Sequence, residues 1–141
     1  MATFNKFNCF VEDLAEGKHN LGSDTLKVML TNAAPSASNT VKADLTDIGA
    51  GNGYTAGGTA VTVTSSAQSG GTYKLVGNDI VFTAAGGSIG PFRYAVLYND
   101  TPTSPADPLI GFWDYGSNVT LADTESLTVD FNGTDGILQL A

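Results

Sequence analysis

The chain has 141 residues, 42% of them hydrophobic and only 14% charged, and its 14 acids against 6 bases leave a net charge of -8. So acidic a chain lacks the basic footprint that phosphate-backbone binding needs, no apolar run approaches the roughly 20 residues of a membrane-spanning helix, and one cysteine, Cys9, cannot make an internal disulfide. Nucleic acid and membrane are therefore not expected partners, and the length predicts a single domain over 1–141, made in a reducing cytoplasm and not exported by a signal peptide.

The opening stretch "TFNKFNCFVEDLAEGKHN" places Phe4, Phe7, Val11 and Leu14 at helical spacing. It predicts an amphipathic helix over 4–15, with Thr3 as N-cap and Gly17 as the stop. His19, just past that stop, is expected to cap the helix carbonyls as a cation. So short a helix must dock, either plugging one end of a β-core or reaching a neighbouring subunit.

From Asp24 onward the period becomes two. "TLKVMLTN" (25–32) reads as a half-buried strand, and the polar, glycine-rich stretch 33–53 then reads as a long surface loop with one short helical or extended turn near 41–48. "TAVTVTSS" (59–66), "TYKLV" (72–76) and "DIVFTA" (79–84) are the next strands, with Gly77-Asn78 as a hairpin signal. "FRYAVLY" (92–98), "PLIGFWDYG" (108–116), "ESLTVDF" (125–131) and "GILQLA" (136–141) complete eight. The expected fold is all-β, a β-sandwich or jelly-roll-like domain with a short N-terminal helix.

Catalytic material is sparse. His19 and Cys9 are single residues of their kinds and would leave a zinc site two ligands short. "GAGNGYTAGG" (49–58) has glycines without the strand and helix that flank a dinucleotide-binding turn. Asp130, Asn132 and Asp135 in "DFNGTDG" offer oxygen ligands at a spacing unlike an EF-hand, so a turn is the first reading and calcium the second. No catalytic, cofactor-binding or metal residue is assigned.

The richest constellation is aromatic. If 91–98 and 109–116 pair across the proline-rich loop 99–108, one register sets Arg93, the chain's only arginine, opposite Asp114, Tyr94 opposite Trp113 and Ala95 opposite Phe112. Both faces of such a hairpin are apolar, which places it inside a sandwich or beneath a second subunit. Arg93 and Asp114 are then a core or interface ion pair, and Trp113, Tyr94, Phe4 and Phe7 are structural or interface candidates; Trp113 with Tyr94 and Tyr115 would make a sugar platform if exposed.

The segments "FNKFNCFVEDLAEGKHNLGSDTLKVMLTN", "GNGYTAGG", "GGSIGPFRYAVLYNDT", "DPLIGFWDYGSNVTL" and "VDFNGTDGIL" resemble a family of small proteins encoded among the virion structural genes of tailed bacteriophages. The similarity runs from Phe4 to Leu140. It implies a β-rich, non-enzymatic virion component without cofactors. The role it implies first is a head decoration, or cement, protein that binds the major capsid protein on the capsid exterior as a homotrimer; the alternative is a tail-tube or fibre component. The contact elements expected for such a role are the helix 4–15, the loop 33–53 and the loop 99–108.

Overall fold

The computed structural model describes residues 3–141. In chain order they form β1 (Asn5–Lys6), α1 (Asn8–Ala15), β2 (Leu26–Thr31), a 3-10 turn (Lys42–Asp44), β3 (Thr59–Ala60), β4 (Val63–Ser69), β5 (Thr72–Gly77), β6 (Ile80–Thr83), β7 (Ile89–Asn99), β8 (Leu109–Leu121), β9 (Ser126–Val129) and β10 (Leu138–Leu140). The fold is all-β and sandwich-like, with one short α-helix. A five-stranded sheet runs β1-β8-β7-β2-β3, with separate ladders β10-β5-β4 and β6-β9, and every named pairing is antiparallel.

The helix begins four residues later than its spacing suggests. Phe4 and Phe7 are not on it: Asn5 and Lys6 pair with Phe112 and Gly111, and Phe7 is the N-cap residue in extended conformation, so Thr3 caps nothing. Sheet pairing overrides helical spacing here, because Phe7 is completely buried from the extended conformation. The end is where Gly17 sets it. With Gly17 at positive φ, Lys18 N–H donates to Asp13 O and Gly17 N–H to Leu14 O, the two bonds of a Schellman motif. Those carbonyls are already satisfied, so His19 does not cap the helix; it is buried against Phe10, ring centroids 5.4 Å apart.

Two further expectations are corrected. Gly77-Asn78 is no hairpin: β5 pairs with β4 and β10 while β6 pairs with β9, and Asn78 N–H donates to Thr62 O as the chain changes ladders. The tight hairpin turn lies at Gly70-Gly71, between β4 and β5. The stretch 59–66 is split into β3 and β4, each bound to a different sheet.

Alternation along the central strands sends side chains to two cores. Val28, Leu30 and Leu97 join Phe10, Leu75, Phe82, Ile110 and Leu138 in the main cluster, which draws on all three ladders. Met29, Val96 and Tyr98 join Phe7, Leu45 and Leu109 in a second cluster on the other face of the sheet. The β7-β8 hairpin is thus covered on both sides around Val96–Tyr98 and Leu109–Ile110, while residues 115–118 of β8 are exposed.

Candidate functional site

The hairpin register differs by one residue from the expected one. Tyr94 pairs with Asp114, Ala95 with Trp113, Val96 with Phe112 and Leu97 with Gly111, and the expected alignment returns only at Tyr98 with Leu109. Tyr94 and Trp113 are therefore on opposite faces of the sheet, not side by side. Arg93 nevertheless meets Asp114, its Nε donating to Oδ1 at 2.8 Å and its Nη2 to Oδ2 at 3.1 Å. A register irregularity between Phe92 and Tyr94 makes this reach: Phe92 pairs with Val119, so Arg93 is unpaired and four β8 residues, 115–118, bulge against it. Bulges re-aim side chains in this way.

Both partners of the ion pair are over a third exposed, so it is a surface pair at the sheet's end and not a core charge. Asp114 Oδ1 also accepts from Gly116 N–H at 2.8 Å, which fixes the start of the bulge. The two contacts hold the Asp114 carboxyl below the ordinary carboxylate range, the guanidinium being the larger cause. The Arg93 guanidinium also lies over the Tyr94 ring, 5.4 Å from its centroid.

The other aromatic candidates anchor the N-terminal strand. The Phe4 ring occupies the space a side chain at Gly111 would need and contacts Trp113, centroids 5.4 Å apart. Phe7 packs on Phe112 at 5.2 Å in the second cluster. Trp113 also touches Phe131 at 5.6 Å, and neither neighbouring ring stacks flat on the indole, the interplanar angles being 60° and 47°.

Trp113 is half-buried and lies at the edge of a cleft of about 270 Å³, whose lining includes Leu30, Ala95, Trp113, Tyr115, Val129 and Asp130. Leu30, Ala95 and Trp113 form one cross-strand row through β2, β7 and β8. Tyr115, 59% exposed, follows Trp113 by two residues along β8. The cleft's other wall is β9.

A separate surface is assembled around the second cluster. Asn8 N–H at the start of α1 donates to Ala37 O, and Cys9 Sγ sits 3.5 to 3.6 Å from the carbonyls of Asn39, Thr40 and Leu109. Lys42 N–H donates to Asp107 O and Leu109 N–H to Thr40 O. The helix, the loop 33–53 and the loop 99–108 are thereby stitched into one surface. At Asp47 of the loop 33–53, Tyr54 hydroxyl donates to Oδ1 at 2.7 Å and accepts from Leu30 N–H at 3.0 Å, while Gly57 N–H donates to Oδ2. The surface is acidic: Asp107 lies beside Asp100, and burial together with that neighbour raises its carboxyl above the ordinary range.

Burial and the nearby Asp13 push the Cys9 thiol up, and burial pushes the His19 imidazole down. Among the described residues, no three His, Cys, Asp or Glu side chains form a cation-holding group. Asn132 Oδ1 is occupied by the N–H groups of Thr134 and Asp135, the pattern of a turn. The glycine-rich 49–58 closes on itself through reciprocal Gly51 and Tyr54 backbone bonds and leads into β3, not into a helix.

Comparison with protein families, curated proteins and solved structures finds no match for this chain.

Proposed function

We propose that this protein is a non-enzymatic structural component of a tailed-phage virion, a head decoration protein that binds the outer surface of the capsid lattice as a trimer. The observation that carries the reading is the convergence of α1 and the loops 33–53 and 99–108, the three segments expected to make contact, into one hydrogen-bonded surface. A separate helix and two separate loops would each lose conformational entropy on docking. A surface already tied together from both sides of Cys9 loses less, and that favours binding to a fixed lattice.

The surface also carries an outward apolar side chain, Val11, 48% exposed on α1. Its acidic character suits basic patches on major capsid subunits. In mechanism, the protein bridges neighbouring capsid subunits in the assembled shell and stabilises it by binding that state alone. Trimeric presentation raises the effective concentration of the second and third contacts once the first has formed.

The test is reconstitution. Purified protein is added to heads lacking it, and binding is followed by co-sedimentation and cryo-EM. The expected result is saturable binding to the head exterior, increased heat resistance of the particle, and binding weakened about tenfold or more by Val11→Glu with its own melting unchanged. Density along the tail, or heads that neither bind the protein nor gain resistance, overturns the reading.

A further inference from the structure

The cleft between the five-stranded sheet and β9 lies away from the stitched surface. Its floor row, Leu30, Ala95 and Trp113, points to the face opposite Met29, Val96 and Phe112, which belong to the second cluster or pack on it. Nothing in the docking role uses it. We infer that this cleft binds one neutral pyranose unit of a glycan, with Trp113 and Tyr115 as the apolar platform and Asp130 as the hydrogen-bonding rim.

The chemistry of the lining selects the ligand class. The floor is aliphatic and aromatic, with Leu127 and Val129 closing the far wall. Asp130 and Tyr115 are exposed and keep their polar groups in water when the cleft is empty. A wholly apolar ligand would strip water from Asp130 and from the Arg93–Asp114 pair without replacing those hydrogen bonds, which is costly. An anion gains nothing from Arg93, whose charge Asp114 already meets through two bonds, and is repelled by Asp130 and a chain of net charge -8. A sugar ring offers an apolar C–H face to the aromatic side chains and hydroxyls to the rim. The volume of about 270 Å³ falls just below the range for drug-sized ligands, about 300–1,000 Å³, which suits one ring.

The platform is rigid before any ligand arrives. Trp113 is packed by tilted contacts with Phe4 and Phe131 and still lines the cleft, so little side-chain ordering accompanies binding.

Trp113 is the only tryptophan, so its fluorescence and indole N–H resonance report on this cleft directly. The full chain is titrated with neutral hexoses, 6-deoxyhexoses and N-acetylhexosamines, free and as short oligosaccharides, to tens of millimolar. The expected result is a saturable Trp113 response to at least one of them, weakened about tenfold or more in Tyr115→Ala and in Asp130→Asn, neither of which removes a buried group. Preference for oligosaccharides over the free sugar assigns the ligand to a polymer, and equal response assigns it to the free sugar. Absence of a saturable response across the panel, a response unchanged in both variants, or saturation only by an alkyl alcohol or a sugar phosphate overturns the assignment. The experiment is independent of capsid binding, since Val11→Glu leaves the sugar response intact.

Discussion

Arg93 and Asp114 show how little of an ion pair's worth lies in the attraction between the charges. The pair is bidentate, yet over a third of each side chain is in water, so solvent screens most of the attraction. Asp114 has a second duty in holding Gly116 N–H at the bulge. Arg93→Ala is therefore expected to lower stability only slightly in denaturant melts, and Asp114→Ala measurably more, because it also releases that bulge; equal losses would mean the Gly116 contact contributes nothing. His19 carries a pH dependence of definite sign. Asn99 Nδ2 donates to both Asp24 Oδ2 and His19 Nδ1, so Nδ1 accepts, the proton sits on Nε2, and that atom is buried without a partner. Burial lowers the imidazole below its ordinary 6.5 despite the opposing pull of Asp13 and Asp24. The unfolded chain then binds the proton more readily, so this group's contribution is complete above pH 6.5 and is lost as pH falls from there through the lowered folded-state value. Thermal melts from pH 8 to 5 should show a falling melting temperature that flattens in His19→Gln; a profile identical in both proteins would assign the dependence to other groups.

At the scale of elements, α1 exists because it is docked. Eight residues are too few for a stable isolated helix in water, and what holds this one is Phe10, 1% exposed in the main cluster, together with the bonds from Asn8 and Cys9 to the loops. Phe10→Ala is expected to cost about 3–5 kcal/mol in equilibrium unfolding and to expose the helix to hydrogen exchange. A loss under about 1 kcal/mol would show that the helix is held by its loops alone. Most strands were legible from their alternation, and the helix stop from Gly17, since both are local signals. The helix start was not. Phe4, Phe7, Val11 and Leu14 fit a helical face, but Phe4 and Phe7 bury more completely from an extended segment laid against Gly111 and Phe112 of β8, a strand more than a hundred residues away in the chain. The Gly77-Asn78 signal failed for the same kind of reason: β5 already has partners on both edges, so a following strand has no edge left to pair with.

At the scale of the molecule, composition and periodicity by themselves determined an all-β protein with two-faced central strands, because alternation and turn chemistry are properties of neighbouring residues. They also paired Arg93 with Asp114, through a register that the structure shifts by one residue; the irregularity between Phe92 and Tyr94 is what still lets the two side chains meet. Only the tertiary structure decided which faces the side chains take. A one-residue shift in the β7-β8 register separates Tyr94 from Trp113, and that shift depends on where the bulges at 92–94 and 97–98 fall, which packing against both cores fixes. The same shift puts Trp113 in one cross-strand row with Leu30 and Ala95 on the cleft. Likewise, the helix and the two loops expected to make contact were visible one by one, but their union around Cys9 required segments near residues 8, 40 and 108 to meet. Sequence-local patterns specify elements; contacts between distant segments, which bury the most surface per residue, choose registers, faces and sites.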